Sequence, residues 1–256
     1  MRHGYIDEYS NLNSIIHYLD PRIKVINFII FILFIIFTKP DSFITFGLYG
    51  LLIAILVLLS KIPVRFILKR SLNIIPFVLL IAIFIPFIKK GEIAGGYSFG
   101  TLKLTVTYDG LMIFWNVLVK AYLSILCMIL LMSSTKLPDL LRAFERLKCP
   151  KLITMVFSFM YRYIFVVQDE LMQMGQARDS RSVGGSRWFR IKSLANMLGV
   201  LFIKTYERGE NVYLAMCSRG FTGEIKTLDQ FKLTKKDIYF LLTIVILLII
   251  IRFLKV

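Results

Sequence analysis

The sequence predicts an all-α integral membrane protein: about five transmembrane helices plus long amphipathic helices on the cytoplasmic side. Three observations predict it. Hydrophobic residues make up 57% of the 256-residue chain, and the mean hydropathy is +0.71, against roughly 45–50% apolar residues in soluble domains. Those residues fall in blocks with few or no charges, Val25–Thr38, Ser42–Ser60, Leu111–Met132 and Ile238–Leu254. None of the blocks has the polar face that a soluble helix keeps. The charges, 32 basic against 16 acidic for a formal +16, gather between the blocks.

Residues 1–20 carry Asp7, Glu8 and Asp20 and no apolar run. They do not read as a cleavable signal, so the first span stays in the mature protein. Five spans are expected at about Ile23–Thr38, Ser42–Ser60, Leu72–Ile88, Leu111–Ser133 and Asp237–Lys255. About 20 apolar residues cross a hydrocarbon core of ~30 Å, so the short first span calls for tilt or shielding by its neighbours. Lys39-Pro40-Asp41 is a tight turn that pairs the first two spans, and Lys61–Arg70 is a basic connection. Lys89–Gly110 holds Gly91, Gly95, Gly96 and Gly100 beside alternating Thr, Leu and Val. It reads as a turn-rich loop or a small hairpin. The expected organisation is a membrane domain of four spans over 1–133, a cytoplasmic helical domain over 134–236, and a last span over 237–256.

Lys and Arg counts set the orientation, because cytoplasmic segments carry the excess. With the N-terminus inside, the inner segments Met1–Lys24, Lys61–Arg70 and Ser134–Lys236 hold three, four and eighteen, or 25 of the 32. The short loops alone give seven against six, so the long segment decides. In that segment Thr135 is the expected N-cap of a helix with Pro138 in its first turn. Leu140, Leu141, Phe144 and Leu147 then recur on one face. Cys149-Pro150 ends this helix and opens a second that runs to about Ala177; after a turn at Asp179–Ser186, with Gly184-Gly185, a third runs from about Ile191 to Ser218. The third sets Leu194, Met197, Leu198, Leu201 and Phe202 against Asn196, Lys204, Arg208 and Asn211. Leu152–Val167 is apolar enough to be a sixth span, but Arg162 inside it would cost ~2.5–3.5 kcal/mol at the bilayer centre. A helix at the inner membrane surface is the preferred reading, with the sixth span as its alternative.

Several chemistries are missing from the sequence. It has no Gly-x-x-x-x-Gly-Lys-Ser/Thr phosphate cradle, no Gly-x-Ser-x-Gly and no His-Glu-x-x-His. His3 and His17 are the only histidines, and Cys127, Cys149 and Cys217 lack paired spacing. No cofactor or metal site is therefore expected on this chain. The spans are almost free of ionisable groups, unlike those of ion-coupled carriers. Lys120 is the exception and a candidate intramembrane functional residue. A basic platform of amphipathic helices on inert spans reads as a force-transmitting adaptor.

Several stretches carry a family resemblance in one order along the chain. They are Leu19-Asp20-Pro21-Arg22-Ile23-Lys24, Thr135–Phe144 followed by Leu147-Lys148-Cys149-Pro150, and Tyr161-Arg162-Tyr163 through Asp169-Glu170. Tyr206–Met216 ending in Ser218-Arg219-Gly220-Phe221 is the clearest. Together they resemble the T component of energy-coupling-factor (ECF) transporters, most closely the cobalt-type CbiQ form. The resemblance implies a non-catalytic subunit in the cell membrane that joins two ATP-binding cassette ATPase subunits to a membrane substrate-binding subunit. That partner would be CbiM-like, with or without a small CbiN-like subunit, and ATP would sit on the partners. It also implies two short arginine motifs at the ends of coupling helices, each docking on one ATPase. The matching tripeptides are Ala177-Arg178-Asp179 and Ser218-Arg219-Gly220. Ser218 departs from the usual Ala and Asp179 from the usual small residue, and Ser180-Arg181-Ser182 competes for the first role. A guanidinium suits docking because its planar fork engages carboxylates or carbonyls bidentately. A T component for nickel or vitamins is the nearest alternative.

Two other classes are weaker. A lipid-modifying enzyme would need catalytic spacing that Asp109, Asp139, Asp169 and Glu170 do not show. A nucleic-acid binder would need an aromatic and basic surface, yet Trp188 is the only tryptophan in the long segment. The lipid bilayer is an expected partner; nucleic acid is not.

Overall fold

The computed structural model describes residues 10, 12–14, 16–40, 42–88, 93–99, 102–181, 186–223 and 233–253, with 88, 93–99 and 102–106 in backbone only. Nine helices and one hairpin lie among them: α1 Pro21–Ile36, α2 Phe43–Ser60, α3 Val64–Ala82, α4 Ile85–Ile88, β1 Ile93–Phe99, β2 Leu102–Thr107, α5 Tyr108–Ser134, α6 Leu137–Arg146, α7 Lys151–Arg181, α8 Arg187–Ser218 and α9 Lys235–Phe253. The protein is an all-α membrane protein with one small hairpin. Two compact units form, one from the described residues of Gly4–Leu140 and Phe231–Val256, the other from those of Leu141–Gln230.

In the first unit α1 is the central helix, packed against α5 and α9. Asp20 caps it, its Oδ1 accepting from the Arg22 N–H at 2.9 Å, with Pro21 in the first turn, where a missing N–H costs nothing. Ile23, Phe28, Phe31 and Ile35 are buried, as are Tyr49 and Ile53 of α2, Leu130 of α5 and Leu248 of α9. Phe31 and Tyr49 meet edge to face at 5.9 Å. The α3 helix is peripheral, with Leu72, Phe77 and Ile81 exposed, as suits a face turned to lipid. Behind it Gly110 of α5 passes so close to α4 that a Cβ would lie 2.7 Å from Pro86 Cα. Strands β1 and β2 pair antiparallel, Tyr97 with Leu104 and Phe99 with Leu102. The expected small hairpin is thus present as Ile93–Phe99 paired with Leu102–Thr107; Gly91 and Gly100 lie outside the described residues.

Among the described residues, four helices are long and apolar enough to cross a membrane: Phe43–Ser60, Val64–Phe87, Tyr108–Ser134 and Lys151–Arg181. The last includes Leu152–Val167 and Arg162 in one unbroken helix, with Arg162 exposed. At 16 residues α1 is too short for that test. Three boundaries differ from expectation. The basic connection shrinks to residues 61–63, because α3 starts at Val64 and carries Arg65, Lys69 and Arg70 on its first two turns. Thr135 is not an N-cap: α5 runs to Ser134, α6 starts at Leu137, and Thr135 Oγ1 is buried with no hydrogen-bond partner among the described residues. The α7 helix runs to Arg181, three residues into the expected turn, and α8 starts at Arg187, about one turn before the expected Ile191; Gly184-Gly185 lies outside the described residues.

In the second unit α7 and α8 meet through an ion pair: the Lys204 ammonium donates to Glu170 Oε1 at 2.7 Å, with an Arg208 nitrogen 3.8 Å from Oε2. Of the expected apolar stripe on α8, only Leu201 is buried; Leu194, Leu198 and Phe202 are exposed.

Candidate functional site

The C-terminus of α8 fixes its arginine by backbone chemistry. The last carbonyls of a helix lack intrahelical donors. Here the Gly220 N–H donates to Cys217 O at 3.0 Å and the Phe221 N–H to Met216 O at 3.1 Å. This is the two-bond Schellman arrangement, which needs a residue in the left-handed region. Gly220 supplies it at φ +79° without the penalty a Cβ would bring. Arg219 is the C-cap, and Ser218 Oγ donates to Leu214 O at 2.9 Å, closing the last turn. All three residues of the tripeptide are exposed. The Arg219 guanidinium has no ion-pair partner among the described residues, so its five donors face outward from a fixed backbone.

Arg178 is held differently. It lies within the last turn of α7 and not beyond the helix end, because α7 continues to Arg181. Cations in that turn complement the negative end of the helix dipole. Its Nε and Nη2 both donate to Asp179 Oδ1, at 3.0 and 2.6 Å. Ser180 Oγ donates to Ala177 O at 3.0 Å. The side-chain departure at Asp179 therefore occupies part of the guanidinium fork that Arg219 leaves open. Exposed pairs of this kind are worth ~0–1 kcal/mol, so Asp179 is a weak competitor for any partner.

Between the two ends stands Glu170. The hydrogen bond from Lys204, with its positive charge, holds the Glu170 carboxyl below the usual carboxylate range. Sequence reasoning had placed Lys204 and Arg208 on a polar face without finding their acid, since no local spacing links α7 to α8. The one available signal was Lys204 and Arg208 at i,i+4, a pair of cations that needs an opposing charge.

Lys120 is held at the end of α1. Its ammonium donates to Ile36 O, the last residue of α1, at 2.8 Å and to Thr38 O, two residues beyond it, at 2.7 Å. The remaining ends are met locally: Thr38 Oγ1 donates to Phe34 O, the Phe37 N–H to Leu33 O and the Thr38 N–H to Ile35 O. At 16 residues α1 spans roughly 24 Å, less than the ~30 Å hydrocarbon core. Its C-terminal carbonyls would fall short of water, where an unmet polar group is costly. A lysine from α5 meets them. Among the described residues no group of three or more His, Cys, Asp or Glu could hold a metal ion.

Known proteins with similar sequences agree among themselves. An uncharacterized protein of Methanocaldococcus jannaschii is 30% identical over 95% of this chain and 84% of its own length. The energy-coupling factor transporter transmembrane protein EcfT of Staphylococcus aureus is 31% identical over 98% of this chain and 96% of its own. The protein of the same name from Ruminiclostridium cellulolyticum is 29% identical over 91% and 90%. The profile of the cobalt transport protein family CbiQ matches residues 12–228, which include both arginine tripeptides, Lys120 and the Asp20–Lys24 lead-in. With that match running across both units, the chain belongs to the CbiQ family.

Proposed function

We propose that this chain is the transmembrane coupling (T) subunit of an ATP-driven importer of the energy-coupling-factor type, with cobalt ions as the substrate. It is a non-catalytic subunit of the cell membrane. In this reading it joins two cytoplasmic ATP-binding cassette ATPase subunits, which bind the ATP, to a CbiM-like substrate-binding subunit, with or without a CbiN-like one. Residues 1–133 and 237–256 sit in the bilayer, and residues 134–236 with the N-terminus face the cytosol. Leu152–Val167 then lies at the inner membrane surface, which spares Arg162 the bilayer centre.

One observation carries the reading: Arg219, exposed and without an ion-pair partner among the described residues, stands on a Schellman cap at the end of a 32-residue helix whose Leu194, Leu198 and Phe202 are exposed. An arginine in that position can dock in an acidic groove, and the uncovered apolar residues suit a second membrane-associated partner. Ala177-Arg178-Asp179 is the second anchor. Lys120 acts structurally, tying α5 to α1. ATP-driven closure of the ATPases would draw the anchored helix ends together and shift the element that both sites bias.

The test is Co²⁺ uptake with ATP hydrolysis in the reconstituted complex after Arg219→Ala and Arg178→Ala. Losing a charge-assisted contact worth ~1.5–3 kcal/mol weakens the ATPase association roughly 10- to 100-fold. If both variants assemble and transport like wild type, the anchor roles are wrong. The relatives called EcfT carry no ion in their names, which favours one second reading, a T component serving another substrate-binding subunit. The identity of the copurifying membrane partner separates the two.

A further inference from the structure

The Leu19–Lys24 motif has no part in the anchors, yet its lysine occupies the most crowded polar junction of the membrane unit. Lys24 is 2% exposed. Its ammonium donates to Ser134 O, the last residue of α5, at 3.0 Å, and to His17 O, ahead of α1, at 3.1 Å. It also interacts electrostatically with Asp139, Asp20 and Asp237. Each of these carboxylates stands at a helix N-terminus: Asp20 caps α1, Asp139 is in the first turn of α6, and Asp237 is in the first turn of α9.

The carboxylates are themselves built into the junction. Asp237 Oδ2 accepts from the Thr234 N–H at 2.9 Å and from Thr234 Oγ1 at 2.6 Å, a capping box for α9. Its Oδ1 accepts the Asp20 N–H at 3.1 Å, which clips the start of α9 to the start of α1. Together with Ser134, Thr135, Lys136 and Asp139 these groups line a cavity of about 400 Å³. Acids favour helix N-termini and cations favour C-termini. The buried ammonium donates at the C-terminus of α5 and lines one cavity with three acid-bearing helix N-termini. Between hydrocarbon-embedded helices there is little hydrophobic drive to fix such an arrangement, so polar contacts and close packing carry it.

We propose that Lys24 is a positioning residue for coupling: it fixes where α5 ends and the chain leaves the membrane unit through the start of α6, so that movement of the coupling helices reaches the spans undiluted. This rests on the T-subunit reading. Lys24→Met removes the charge at similar volume. Asp139→Asn, at a half-buried surface position and nearly isosteric, removes the α6 half of the interaction while sparing the buried lysine.

The experiment uses the complete complex with two readouts, Co²⁺ delivered per ATP hydrolysed in sealed proteoliposomes and amide hydrogen exchange over 134–140 and 234–237 in nanodiscs. Both variants are expected to keep the ATPases bound and hydrolysing while delivery per ATP falls at least about tenfold. Exchange in the two segments rises while that of α2 and α8 holds, and Lys24→Met/Asp139→Asn is no worse than the stronger single variant, as for one shared interaction. Unchanged delivery and unchanged exchange in Asp139→Asn overturn the inference. So does loss of assembly, hydrolysis and delivery in parallel in both variants. A wild-type complex that hydrolyses ATP but delivers no Co²⁺ sinks the cobalt assignment instead, and the exchange readout still decides the role of Lys24.

Discussion

Arg219, Lys120 and Lys24 each stand at helix-end carbonyls that would otherwise go unmet. Gly220 matters because the two carbonyls it helps satisfy lie at the base of Arg219. Its Cβ position is open, with nothing within 4 Å, so a substitution meets only the positive φ. Gly220→Ala should cost about 1 kcal/mol in the last turn of α8, read as faster amide exchange at Arg219 and Phe221. It should weaken ATPase binding less than Arg219→Ala does. Asp179→Ala has the opposite sign. Freeing the Arg178 fork should tighten ATPase association by up to about fivefold, the scale of an exposed ion pair, and a binding titration that shows weakening would remove Arg178 from the anchor role. Lys120→Met should lower the thermal midpoint in detergent, since two carbonyls at the end of α1 and just past it lose a charged donor, at about 1–2 kcal/mol. Specific transport per folded complex should hold; its selective loss would put Lys120 on the transport path.

At the scale of elements, two contacts decide how helices pair. Gly110 lets α5 pass against the α4 backbone, and because the clash is with Pro86 Cα the neighbour cannot rotate away. Gly110→Val should cost about 1–3 kcal/mol by overpacking, seen as a lower melting midpoint. Glu170 with Lys204 braces α7 on α8. The folded-state pKa of this carboxyl is depressed, so its contribution is present above the unfolded value, about 4.3. It is lost as pH falls through the lower folded value. Exchange protection at the α7–α8 contact should be flat from neutral pH to about pH 5 and decline below about pH 4. Glu170→Gln should remove the decline. The same elements show what the sequence could carry. Apolar blocks and the Cys149-Pro150 break located the helices because they are local signals. The start of α3 was missed since charged residues at the membrane surface look like a loop, and Thr135 was misread because α5 and α6 share a turn of two residues. The Asp20–Asp237 clip and the brace at Glu170 join residues distant in sequence, and no spacing rule reaches them.

For the whole molecule, the chain combines a membrane unit closed by polar clasps with a helical unit in which Leu194, Leu198, Phe202 and Arg219 are exposed. Lysines from two antiparallel helices answer each other's C-termini, Lys24 of α1 at the end of α5 and Lys120 of α5 at the end of α1. Such an exchange makes α1 and α5 a single stiff pair. The family was legible because the Leu19–Lys24, Thr135–Pro150 and Tyr206–Phe221 stretches stand in family order. The ion and the partner subunits were not, since their chemistry resides on other chains. Native mass spectrometry of the complex purified through a tag on this chain addresses the central claim most directly. The account predicts one copy of this chain with two ATPase subunits and one small polytopic membrane protein, with ATPase subunits lost from the Arg219→Ala complex. A chain that purifies without any nucleotide-binding subunit under conditions that keep its membrane partner would contradict it.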